Sequence, residues 1–263
     1  ASSSLFSISK FNQSFLTTSL CVYLVYKFNH PMKVFIQKFG ITIYILLLSA
    51  HLYAQVLGEK FATIQFITKA LLLPTLILFL ACQDQSESTP KGKWLVIIGL
   101  FGSFLGDVLL TNEKYFIAGM IAFMTTHICN IIFFNGIKPA ADKKIYKVYA
   151  VAALFLLFCF GIYKQLAPSM GNLIYPILVY MLLICLSALK AFRSSLNEQT
   201  NLIAQLFWFP GMLFFITSDA VLAFNKFQWS IHTPIPHIGL VTMMTYGVAQ
   251  LLLTKGFQLY FKK

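Results

Sequence analysis

The chain has 263 residues, 58% of them hydrophobic and 11% charged, with a net charge of +12. A soluble domain carries about 25% charged residues, and no water-soluble core hides this much continuous apolar sequence, so a soluble globular fold is excluded. The basic residues sit in short connections between apolar runs, where they set topology and meet lipid headgroups; nucleic acid is excluded as a partner.

Residues 1–31 read as an extension of uncertain role. A Ser-rich start leads into an apolar patch at 15–26, short for a span and lacking the small-residue cleavage pattern of a signal peptide. Residues 32–263 read as one all-α domain, a polytopic membrane helix bundle. Apolar runs predict eight transmembrane helices near 33–55, 61–83, 93–111, 115–137, 145–166, 173–192, 202–227 and 235–260. Helices are required because lipid offers the backbone no hydrogen-bond partner and no barrel-like alternation is present. The most polar connection is 83–93 (QDQSESTPKGK).

Lysine and arginine distribute unevenly about these spans. Fifteen fall on the side holding both ends of the core, four on the other (Lys60, Lys114, Lys164, Lys226), and Lys69 lies inside a span. The positive-inside rule places the core's N- and C-terminal ends in the cytoplasm of a multi-pass integral membrane protein. Residues 119–132 (GMIAFMTTHICNII) match 239–252 (GLVTMMTYGVAQLL) without gaps in size and polarity, and Gly106-Asp107 upstream parallels Ser218-Asp219. Spans three and four thus resemble seven and eight, as two parallel four-helix repeats would.

Among the eight acidic residues, only Asp107 and Asp219 fall within spans. A charge near the bilayer centre costs about 2.5–3.5 kcal/mol even on the lenient insertion scale, so such groups face the bundle interior and find partners. Counted from the non-cytoplasmic ends, Lys69, Asp107 and Asp219 sit in one leaflet, with His127 and Tyr246 a turn or two deeper. One polar cavity opening to that face is expected. An ion-pair staple, with Lys69 bridging both acids, is the structural alternative. Two acids around one lysine leave one aspartate holding a proton, the arrangement of a general acid and a general base. Tyr180, Tyr246, Gln250 and His51 read singly as interhelical hydrogen-bonders, and His127 as either that or a site residue. The five cysteines read as small buried thiols, and no metal-ligand spacing occurs around His232 and His237.

The segments TKALLLP (Lys69, Pro74), FLGDVLL (Asp107), GMIAFMTTH (His127), Tyr180, SDAVL (Asp219) and YGVAQLLL (Tyr246, Gln250) resemble the YhhN/TMEM86 family, in order and spacing over about residues 35–257. Ala70 departs from the proline usual after the lysine, and Asn130 stands where an aromatic is expected. The resemblance implies a lysoplasmalogenase: an ether hydrolase that cleaves the vinyl-ether bond of a lysophospholipid substrate to a fatty aldehyde and a glycerophospho-alcohol. It implies that Asp107 and Asp219 are catalytic, either being acid or base, and that Lys69, His127, Tyr180, Tyr246 and Gln250 bind or orient substrate and water. That chemistry demands no metal and no organic cofactor. An ion-coupled transporter with a buried Asp/Lys site is the alternative from another class. An intramembrane aspartyl protease fits less well, because Phe104 stands at the first glycine of its GxGD motif. Oligomeric state is left open.

Overall fold

The computed structural model describes residues 30–84, 92–137, 145–229 and 235–262. The apolar patch at 15–26, most of loop 83–93, His232, and the topology-setting Lys10, Lys27, Lys91, Lys138, Lys143, Lys144 and Lys263 lie outside them. Among the described residues the regular structure is entirely helical. In chain order the helices are α1 (His30–Leu57), α2 (Ala62–Cys82), α3 (Lys93–Leu109), α4 (Phe116–Asn135), α5 (Ile145–Met170) and α6 (Ile174–Ser194). Next comes α7, a continuous stretch Asn201–Trp229 in which two π-helical turns, Ala204–Trp208 and Asn225–Trp229, flank an α-helical centre. The last is α8 (Ile238–Phe261).

Six stretches are long and apolar enough to cross a membrane. One of them, Ile145–Ser194, runs 50 residues and takes in α5 and α6 in succession. Helix α3, with 17 residues, stands outside the six; at about 1.5 Å per residue it is slightly shorter than the hydrocarbon layer. Length and apolarity therefore delimit fewer separate spans than the eight expected. Short 3₁₀ turns join neighbours: Glu59–Phe61, Glu113–Tyr115 and Gly171–Leu173. Gly58 (φ 86°) opens the first of these in a conformation that L side chains rarely adopt.

The bundle is apolar outside and carries its polar groups inside, as lipid demands. Helix α5 shows the outer face most clearly, with Leu154, Leu156, Leu157 and Phe160 all exposed. It packs against its hairpin partner α6 and the 225–229 turn, and forms a side wall of the bundle. Inside, α3 and α4 approach closely. A Cβ at Gly106 would lie 2.5 Å from the Phe123 ring, and one at Gly102 would lie 2.8 Å from the backbone oxygen of Ala122. Where α3 meets α4, Thr126 Oγ1 donates to Gly99 O (2.8 Å) and pairs with Ser103 Oγ (3.0 Å). At the end of the bundle near 83–93, Phe133, Trp208 and Phe257 form an edge-to-face aromatic plug. There Lys33, with Gln37 behind it, grips Asp84 and holds its carboxyl below the usual range.

Candidate active site

Five of the seven residues singled out from the sequence line one cavity of about 190 Å³: Lys69 from α2, Asp107 from α3, Tyr180 from α6, Asp219 from α7 and Tyr246 from α8. Local packing explains why the acids point inward. Gly106 lets Phe123 press against α3, so the next residue, Asp107, turns into the interhelical space and is 6% exposed. Ser218 Oγ donates to Thr242 O (3.0 Å), tying α7 to α8 one residue before Asp219. In α2, Pro74 has no N–H to give to the carbonyl of Ala70, beside Lys69.

Each acid has its own tyrosine. Tyr246 OH donates to Asp107 Oδ2 at 2.7 Å, and Lys69 Nζ lies 3.8 Å from Oδ1. Tyr180 OH donates to Asp219 Oδ2. His127 stands behind Tyr180, with Nε2 3.3 Å from the phenol oxygen. A phenol has a single hydrogen, so when Tyr180 donates to Asp219 it accepts from His127 Nε2–H. His127 Nδ1 is buried and has no partner among the described residues.

His127 and Gln250 lie behind the cavity wall, each one hydrogen bond from a wall tyrosine. Gln250 bonds Ser103 Oγ (3.1 Å) and also reaches the Tyr246 phenol. Tyr246 is held edge-on by Phe123 and Phe215, with ring centroids 6.1 and 5.5 Å away. His51 does not line the cavity. Its Nδ1 meets Gln65 O and Thr68 Oγ1, each at 3.0 Å, and it ties α1 to α2.

One feature differs from expectation. The chamber is mainly apolar rather than polar: Met120, Ile177, Ile184, Ile216 and Met243 form much of its wall. Lys69, Asp107, Tyr180, Asp219 and Tyr246 come from five different helices, each from an otherwise largely apolar face. Lys69 does not bridge the two acids; among the described residues it pairs with Asp107 alone. Cys159 and Cys185, both free thiols, lie 3.4 Å apart, Sγ to Sγ, between α5 and α6. A separation of 26 residues carries no sign of that contact. Lys226 and Phe116 also line the cavity and were not singled out from the sequence. Lys226 follows Asp219 by seven residues, two helical turns, and that spacing is the signal that finds it. No group of three or more His, Cys, Asp or Glu able to hold a metal ion occurs among the described residues.

Helices apolar outside, with Asp107 buried and Asp219 half-buried between them, define a multi-pass integral membrane protein. The chain belongs to the YhhN family, whose model matches residues 64–257. It is 32% identical over 161 residues to human lysoplasmalogenase TMEM86A, covering 60% of this chain and 62% of that protein. To human lysoplasmalogenase TMEM86B it is 28% identical over 168 residues, 63% of this chain and 65% of that protein. The rat TMEM86B enzyme is 29% identical over 161 residues, 61% of this chain and 60% of that protein. The chain thus spans about three fifths of the length of these curated relatives. No solved structure matches.

Proposed function

We propose that this protein is an ether hydrolase of the lysoplasmalogenase kind, which cleaves the vinyl-ether bond of a lysophospholipid by acid–base chemistry between Asp219 and Asp107. The carrying observation is that two carboxyls from different parts of the chain line one apolar-walled chamber, each bonded to its own tyrosine. The relatives named as lysoplasmalogenases support the substrate class.

The roles follow from the pairing. Two carboxylates cannot both stay ionised cheaply in a poorly hydrated space. Lys69 stands beside Asp107, while Asp219 makes no salt bridge among the described residues. Asp219 therefore carries the proton and Asp107 the negative charge. A vinyl ether is cleaved once its β-carbon takes a proton, which leaves an oxocarbenium ion. Asp219 gives that proton, and the Asp107 carboxylate faces the developing positive charge. Water then adds to the cationic carbon and gives up a proton to the carboxylate. The resulting hemiacetal collapses as Asp107 passes that proton to the glycerol oxygen and the hydroxyl gives its proton to Asp219, releasing aldehyde and alcohol with both acids in their starting states. When Asp219 holds a proton, its contact with Tyr180 runs the other way, and the phenol donates to His127. The chain His127–Tyr180–Asp219 thus steadies the proton on Asp219 between turnovers.

The same reading gives the chamber's apolar part a purpose. A single alkenyl chain lies along Ile177, Ile184 and Ile216 and arrives from the bilayer past the loosely attached side wall α5. It also adopts eight spans, with α3, α5 and α6 each crossing and the core's ends in the cytoplasm. Two parallel repeats accord with it: Gly99 and Gly211 each precede an aspartate by eight residues and each face the following helix, at Cys129 and Leu253. Given vinyl-ether and ester-linked lysolipids side by side, the purified protein releases fatty aldehyde from the first and no fatty acid from the second. Equal fatty-acid release from the ester, or ion uptake by proteoliposomes without aldehyde, contradicts the assignment.

A further inference from the structure

Four charged residues line the cavity, and the reaction outlined above uses three of them. The fourth is Lys226. It lies on the π-helical turn that ends α7, two helical turns or about 10 Å beyond Asp219. Its Nζ sits 4.7 Å over the ring of Phe116, which also lines the cavity, and 3.3 Å from Glu113 Oε1. Glu113 is on the turn that precedes α4, with its side chain 93% exposed. The cavity thus holds, about 10 Å from Asp219, one cation over an aromatic ring beside an exposed anion.

We propose that Lys226 and Glu113 form a headgroup-reading pair, in which Lys226 takes the phosphate and Glu113 the positively charged group of a zwitterionic lysophospholipid. This rests on the lysophospholipid reading above and deepens it. The phosphate of such a lipid is joined to the ether oxygen through the three glycerol carbons. A lipid with its ether at Asp219 and its headgroup turned along α7 brings its phosphate towards Lys226. Lysine binds phosphate as a point charge. An exposed ion pair such as Lys226–Glu113 contributes at most about 1 kcal/mol, so exchanging it costs little. A zwitterion supplies both replacements, and neither side chain is left without a counter-charge. Phe116 keeps the ammonium of Lys226 in place through the exchange.

The test is equilibrium binding to the full chain in uncharged detergent, with saturated alkyl-ether lipids that cannot be cleaved. One bears a phosphocholine headgroup, one a phosphoglycerol headgroup, and one is the phosphate-free alkylglycerol. Lys226→Met weakens both phospholipids about tenfold and leaves alkylglycerol binding unchanged. Lys226→Arg restores phospholipid binding to within about twofold, which separates charge from folding. Glu113→Gln weakens the phosphocholine lipid and spares the phosphoglycerol lipid. Equal effects of Lys226→Met on all three lipids, or none on any, overturn the pair. So does displacement of the phosphocholine lipid by millimolar inorganic phosphate, which makes the site one for the free ion. Because these lipids are inert, binding that follows the expected pattern without aldehyde release from a vinyl ether overturns the hydrolase reading alone.

Discussion

Tyr180 has one hydrogen and two neighbours that want it, Asp219 and His127. In water such a contact is worth little. In a space walled by isoleucine and methionine it decides where a proton rests, because an unpartnered polar atom there costs about 1–3 kcal/mol. Tyr180→Phe removes the link and leaves the ring. It is expected to lower kcat for aldehyde release about tenfold to a hundredfold, with KM nearly unchanged, as measured by steady-state kinetics. The acids themselves were legible in the sequence, since a carboxyl inside an apolar run has few explanations. Which tyrosine serves which acid was not. Tyr180 and Asp219 are 39 residues apart, Tyr246 and Asp107 139 residues apart, and no local pattern encodes a pairing made by tertiary contact.

At the scale of the helix, small residues decide where backbones meet. The Ala122 carbonyl 2.8 Å from a Cβ at Gly102 is backbone and cannot swing aside. Gly102→Ala is thus expected to push α3 from α4 and destabilise the protein by about 1–3 kcal/mol, read as a lower midpoint of thermal unfolding in detergent. Apolar runs made the helices legible from sequence, because lipid permits nothing else. The π-helical turns at Ala204–Trp208 and Asn225–Trp229 were not legible. They depend on how α7 sits against its neighbours, with Trp208 wholly buried, and no residue type announces them. The second turn carries Lys226, so the same irregularity hid a residue of the cavity wall.

At the scale of the whole molecule, an apolar exterior surrounds a chamber in which Asp107 and Asp219 stand among mainly apolar walls. The sequence reading expected a polar chamber because it saw charges and could not see the aliphatic faces that converge between them. In the proposed reaction Asp107 and Asp219 act as one unit, so removing either is expected to disable the whole. The direct measurement is aldehyde release from a vinyl-ether lysolipid by purified wild-type, Asp107→Asn, Asp219→Asn and doubly substituted proteins, each first shown to be folded by its thermal unfolding. Each single substitution is predicted to lower kcat at least about a thousandfold, with the double no worse than the singles. A folded single variant that releases aldehyde at the wild-type rate contradicts the account.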